Sequence, residues 1–172
     1  MTLPAEFLST LAQCAVAYAG LSALSLVVVQ LAGVKWQSQM TTGFWLIIAW
    51  SLGAFMFSLL PMVVLQFTDS PGFSISFSSF FLAIYVVVVI TSALRRDSRI
   101  LRLGATGAAR PPVFTMITVG SACYLTSGLL IANAFSLLPP SGLAWYVGAL
   151  FEILFFGIIP LLHIVAAVHK RE

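Results

Sequence analysis

The sequence predicts an all-α, polytopic integral membrane protein with five transmembrane helices. Of its 172 residues 60% are hydrophobic and 8% are charged, and the mean hydropathy is +1.07. A soluble domain carries roughly a quarter charged residues. Five apolar runs, separated by short segments, cover about residues 7–31, 43–67, 73–94, 113–138 and 143–168. Because no intervening segment is long enough to form a soluble domain, we expect one transmembrane domain over residues 1–172.

The first run, residues 7–31, can cross a hydrocarbon core of roughly 30 Å at about 1.5 Å per residue. Ala15, Ala19 and Ala23 recur at every fourth position of this run, which places them on one helix face. Small residues on one face allow another helix backbone to approach closely. We therefore expect this face to pack against a neighbouring helix.

The second run contains Pro61, which removes one backbone hydrogen bond and indicates either a packing kink or a gate. Residues 68–72 combine Asp69, Ser70, Pro71 and glycine, a composition typical of a turn. The third run begins FSISFSSFF, an alternation typical of a strand. We predict a helix instead, because an open strand edge in lipid leaves backbone groups unpaired. Its serines are expected to bond to carbonyls of their own helix.

The segment between the third and fourth runs orients the protein. It contains five of the chain's eight basic residues: Arg95, Arg96, Arg99, Arg102 and Arg110. Short loops rich in basic residues stay on the cytoplasmic side of the membrane. Five spans place all eight Lys and Arg residues on one side, which predicts an amino terminus outside and a cytoplasmic carboxyl terminus. We expect these arginines to contact anionic lipid headgroups.

The basic segment also predicts a helix longer than the apolar run. Arg95, Arg99 and Arg102 share one helical face, so we expect the third helix to continue a turn or two beyond Leu94. On the fourth run, Gly128 and Ala132 are spaced by four residues and mark a second packing position.

Glu152 is the acidic residue deep inside a run, roughly 14 Å from the outer end of the fifth. A charged, unpaired group at this depth costs several kcal/mol, so its side chain should face the bundle interior. Counting along the runs places further polar residues at middle depth or nearer the outside: Tyr18, Tyr85, Tyr124, Asn133 and Gln13. Two interpretations stay open, namely a proton or substrate site, or a structural hydrogen-bonded cluster or subunit contact.

His163 lies about three turns beyond Glu152 on nearly the same helix face. His163 is either a second polar site along a pathway that includes Glu152 or a histidine at the membrane interface. His169 lies on another face, so the two histidines cannot hold one metal ion from a single helix, and no metal site is predicted. No residue pattern assigns a cofactor, which stays unknown.

The remaining patterns narrow the class of function. The chain has no P-loop, HExxH, GxSxG or paired-aspartate motif, so an enzyme is the least favoured class. Its basic residues flank membrane segments, which argues against nucleic-acid binding. We expect a multi-pass protein of a cell membrane, such as the bacterial inner membrane. Two functions remain: a non-catalytic subunit packing with itself or with other membrane proteins, or a small oligomeric channel or proton-coupled permease using Glu152.

Overall fold

Five helices make up the part of the chain that the computed structural model describes, which is residues 5–31, 38–102, 113–137 and 142–169. In chain order they are α1 (Ala5–Leu31), α2 (Ser38–Thr68), α3 (Pro71–Arg102), α4 (Val113–Ala134) and α5 (Gly142–His169). Those ranges contain no strand. All five helices are long and apolar enough to cross a membrane. The prediction of an all-α, multi-pass membrane protein is therefore confirmed.

Helix α2 lies at the centre of the bundle. It packs against α1, α3 and α5, whereas α4 packs mainly against α3 and only loosely against α5. Helices α3 and α4 run antiparallel, since Asn133 contacts Ser79 while Tyr124 contacts Thr91. The carboxyl end of α3 therefore lies beside the amino end of α4. We refer to this end of the bundle, which holds Arg95, Arg96, Arg99 and Arg102, as the arginine end.

The core of the bundle is apolar, and so is much of its outer surface. Trp50 and Tyr146 are the largest fully buried side chains, and Leu8, Leu82 and Leu150 are fully buried around them. The exposed large apolar side chains occur on all five helices. Soluble monomers rarely expose such continuous apolar surface. The arrangement suits a bundle whose outer solvent is lipid.

Only Asp69 and Ser70 separate α2 from α3. Asp69 adopts a left-handed backbone conformation with φ of 51°. The Ser70 hydroxyl accepts a hydrogen bond from the Phe73 amide at 3.4 Å, and Pro71 occupies the first helical position, where its missing N–H costs nothing. The chain reversal predicted at residues 68–72 is confirmed, although Thr68 ends α2 and Pro71 begins α3, so the turn itself is shorter than predicted.

The helix ends differ from the ends of the apolar runs. Helix α2 begins at Ser38 and not at residue 43, because its polar first turn is helical without being apolar. Helix α3 continues to Arg102, as the shared face of its arginines predicts. Helix α4 ends at Ala134 and not at residue 138. Ser136 stops it with a φ of 55°, and the Leu137 amide bonds to the Ala132 carbonyl at 2.9 Å.

Two serines in the first turns of α3 do not behave as predicted. The Ser74 hydroxyl donates to the Pro61 carbonyl on α2, and Ser79 accepts a hydrogen bond from Asn133 on α4. Ser78 is fully buried, and its hydroxyl has no partner among the described residues. Bonds within the helix are formed by Ser98, further along α3, and by serines of other helices, namely Ser22, Ser51, Ser58 and Ser127. The prediction is wrong for Ser74 and Ser79 because both lie at helix contacts, where tertiary partners compete with the local carbonyl.

Candidate functional site: polar contacts between helices and a groove at Glu152

Three tyrosine hydroxyls link helices by donating to backbone carbonyls. Tyr18 on α1 donates to the Gly157 carbonyl on α5. Tyr85 on α3 donates to the Ala49 carbonyl on α2, and Tyr146 on α5 donates to the Phe57 carbonyl on α2. A buried tyrosine hydroxyl needs such a partner, since lipid supplies none. These hydroxyls therefore hold helices together.

Two of these contacts depend on glycine. A Cβ atom placed on Gly53 would lie only 2.8 Å from Tyr85 Cζ, and one placed on Gly157 would lie 3.0 Å from Tyr18 Cε1. Because neither glycine has a side chain, each tyrosine ring lies directly against the opposing backbone. The ring thus brings its hydroxyl within reach of a carbonyl on that helix.

The third tyrosine contact depends on proline. Pro61 has no N–H, so the carbonyl four residues earlier, on Phe57, loses its partner within the helix. Tyr146 donates to this carbonyl and is fully buried. Pro61 is thus accommodated because a neighbouring helix supplies the missing donor, as membrane helices require.

Asn133 joins three helices near the end opposite the arginine end. It is buried, and its side-chain amide donates to the Ser79 hydroxyl at 2.9 Å and to the Gly142 carbonyl at 3.0 Å. A Cβ atom on Gly142 would lie 2.9 Å from Asn133 Oδ1. The side chain therefore ties the end of α4 to α3 and to the first residue of α5.

Glu152 lies in a groove between α4 and α5, which we call the α4–α5 groove. Its carboxylate accepts a hydrogen bond from the Thr126 hydroxyl on α4. The groove has a volume of about 400 Å³ and is half open to the surface. It is lined by Thr126, Leu129 and Leu130 of α4 and by Ala144, Trp145, Gly148, Ala149 and Glu152 of α5. Glu152 follows Gly142 by ten residues, or about 15 Å, which places it near the middle of a membrane.

The polar residues that the sequence places at similar depth do not meet Glu152 in the structure. Tyr18 and Tyr85 donate to carbonyls, as described above, and Tyr124 shares a hydrogen bond of 2.8 Å with Thr91. Asn133 is buried near the end of the bundle opposite the arginine end, and Gln13 is exposed on α1. His163 lies on α5, but its side chain falls outside the described residues.

The residues predicted for packing and for orientation are distributed as follows. Ala15 is fully buried, Ala19 is half-buried and Ala23 is exposed. Gly128 is exposed, and a Cβ atom added to it would meet nothing within 4 Å. Four of the predicted topology residues are exposed at the arginine end: Arg95, Arg96, Arg99 and Arg102. Arg110 lies outside the described residues.

Sequence reasoning missed the partners in these contacts. Thr126, Tyr146, Gly53 and Gly157 are all part of hydrogen-bonded or close helix contacts, and none of them was predicted. One signal was available for Tyr146, since Pro61 frees a carbonyl that a polar side chain must satisfy. For Glu152, any hydroxyl on the facing helices was a candidate, and Thr126 is one of several.

Within the described residues, no three His, Cys, Asp or Glu side chains are grouped so that they could hold a metal ion. No family model matches the chain, and no curated protein or solved structure matches it either. The fold defines a multi-pass membrane protein of five helices. Its function is therefore to be sought in its own surfaces and polar groups.

Proposed function

We propose that this chain is a non-catalytic membrane subunit that acts by helix packing within a homo- or hetero-oligomeric complex. The observation that supports this most directly is the α4–α5 groove. It is a half-open cleft at the depth of the membrane interior. The two helices that form it, α4 and α5, contact each other less than any other two helices that follow one another in the described chain. Ala144 and Gly148 are the small residues on the α5 side of the groove, so another helix backbone can approach closely there.

The polar groups inside the bundle support the same function. The described tyrosine hydroxyls and the Asn133 amide take part in hydrogen bonds that join helices. They are spread over several helix contacts and do not converge on one point. A catalytic site needs groups that meet at a reacting atom. The arrangement favours assembly over chemistry.

The first test is assembly itself. The chain is extracted gently from its native membrane, and the mass of the particle and of any companion is measured. Gly148→Leu should dissociate the assembly without unfolding the chain, because a side chain there fills the groove and meets nothing within 4 Å at its Cβ. Gly20→Leu is the matched control, since Gly20 is also exposed with open space around it. A monomer without companions, unchanged by Gly148→Leu, would contradict the proposal.

A small channel or proton-coupled permease is the alternative function, favoured by the mid-membrane position of Glu152 and its bond to Thr126. Glu152→Gln separates the two functions, because glutamine accepts the Thr126 hydroxyl but does not titrate. For a packing subunit, we expect Gln to leave bundle stability unchanged, and Glu152→Leu to cost about 1 kcal/mol by removing the acceptor.

Thermal melting of both variants and proton flux into reconstituted vesicles measure these effects. Protein-free vesicles provide the flux baseline, and the wild-type packing subunit should not exceed it. A wild-type flux that Gln abolishes at unchanged stability would establish the permease.

We also propose an orientation, with the amino terminus outside and the arginine end at the cytoplasmic face. Its support is the clustering of Arg95, Arg96, Arg99 and Arg102 at one end, while Glu6 and Asp69 are the charged residues described at the other. Reporter fusions at each terminus test the orientation. Replacing the four arginines together with glutamine should yield mixed orientations. Fusions that place the amino terminus in the cytoplasm would show the proposal to be wrong.

The same arginines are proposed to contact anionic lipid headgroups at the cytoplasmic face. All four are exposed, and each basic residue near such a surface contributes about 1 kcal/mol of attraction. The membrane surface is therefore a partner of α3 in addition to any protein partner of the groove.

A further inference from the structure

The carboxyl group of Glu152 has room for a second partner. The Thr126 hydroxyl bonds to Oε2, and the residue is only half-buried in the α4–α5 groove. Ionisable groups inside membrane helices pair with another polar or charged group, because a lone charge there is costly. The surroundings of Glu152 therefore show whether this chain can supply the partner itself.

The nearest described basic residues lie at another depth. Leu94 lies against Gly120, so its neighbour Arg95 is level with that part of α4. Thr126 follows Gly120 by six residues, or about 9 Å along the helix axis. Arg95 is therefore offset from Thr126 by about 9 Å along the helix axis. Among the described residues it is Thr126, and not an arginine, that bonds to the Glu152 carboxylate.

A second copy of the chain also supplies no lysine or arginine at the depth of Glu152. The sequence has eight Lys and Arg residues, and all lie between or beyond the apolar runs: Lys35, Arg95, Arg96, Arg99, Arg102, Arg110, Lys170 and Arg171. A copy with the same membrane orientation would place them at the same depth as in the first. Contact between copies thus brings no lysine or arginine to Glu152.

The groove beside Glu152 has the shape to receive a helix. Ala144 and Gly148 precede Glu152 by eight and four residues, so the three lie on one face of α5. Ala144 and Gly148 are both exposed, and a Cβ atom on Gly148 would meet nothing within 4 Å. A helix lying in the groove would place its side chains directly over the carboxylate.

We infer that the α4–α5 groove receives a transmembrane helix of a different protein, and that this helix carries a lysine or arginine opposite Glu152. The inference rests on the proposed packing function and adds the chemistry of the partner. Charge complementarity selects the partner: an acidic group at mid-membrane depth, in an open groove, pairs with a basic group that this chain does not place there.

The test uses synthetic transmembrane peptides as defined partners. Two leucine-alanine peptides of about 21 residues, long enough to span a bilayer, have the same composition. One carries its single lysine at the centre and the other carries it at one end. The purified chain is reconstituted in phosphatidylcholine vesicles, where no anionic lipid competes. Binding is measured by energy transfer from the chain's tryptophans to a dansyl group on the peptide.

We expect the central-lysine peptide to bind about tenfold more tightly than the end-lysine peptide. Glu152→Gln should remove this preference, and Gly148→Leu should abolish binding of both peptides. Gly20→Leu should bind like the wild type. Circular dichroism and melting of each variant establish that it is folded, and Glu152→Gln preserves the Thr126 bond, so its loss of preference reports on charge.

Two results would overturn the inference. One is equal binding of the two peptides to the folded wild type, and the other is a preference that persists in Glu152→Gln. If both peptides bind equally but Gly148→Leu still blocks them, the groove is a packing surface without charge selection, and the proposed function stands alone. If no peptide binds and the native chain has no companion, the proposed function fails as well.

Discussion

Ala15→Leu is expected to lower the free energy of unfolding by about 1 to 3 kcal/mol, because a larger side chain overpacks a filled contact. Ala15 is fully buried in the core cluster beside Leu11 on the same helix. Helix α1 packs mainly on α2, so the added atoms would push these two helices apart. Thermal melting in mild detergent, followed by circular dichroism, measures the loss.

The same helix supplies the controls. Ala23→Leu introduces the same atoms on an exposed position, so its melting temperature should equal that of the parent. Ala19 is half-buried, and Ala19→Leu should fall between the two. Equal melting temperatures for all three variants would show that α1 does not pack tightly through this face.

Gly53→Ala should be destabilising although it adds one methyl group. The new Cβ would overlap the ring of Tyr85, which also contacts the Phe57 ring at a centroid distance of 5.3 Å. Either Tyr85 moves and loses its bond to the Ala49 carbonyl, or α2 and α3 separate. We expect a loss of about 1 to 3 kcal/mol, measured by melting in detergent.

Gly20→Ala is the matched control, since a Cβ atom there meets nothing within 4 Å. A double-mutant cycle tests the mechanism: in a Tyr85→Leu background, Gly53→Ala should lose most of its penalty, because the overlapping ring is gone. A penalty of the same size in both backgrounds would place the cause elsewhere than at Tyr85.

Hydropathy and length were sufficient to predict the five helices, because every membrane span must satisfy its backbone internally. They were less informative about helix ends. The first turn of α2 is polar, and α4 is stopped by the left-handed Ser136, which no apolar pattern reveals. An apolar run indicates which part of a helix is embedded in lipid. It does not indicate where the helix ends, because the ends depend on local hydrogen bonds.

The polar contacts were less predictable than the helices. Depth can be counted from sequence, and Tyr85 and Glu152 were placed at similar depth on that basis. Their partners depend on the rotation of each helix about its axis, which directs Tyr85 to α2 and Glu152 to Thr126 on α4. Apolar side chains face both the core and lipid in this chain, so the sequence carries little information on that rotation.

The bond between Tyr146 and the Phe57 carbonyl also constrains biosynthesis. The two residues are 89 positions apart, and α2 is translated well before α5. Until the ribosome has delivered the last helix, the carbonyl freed by Pro61 lacks the donor that the finished protein provides. Tyr18 on α1 likewise finds its acceptor on α5. A nascent chain halted after α4 would therefore hold two early helices with unfinished hydrogen bonds, and insertion of the final helix completes both.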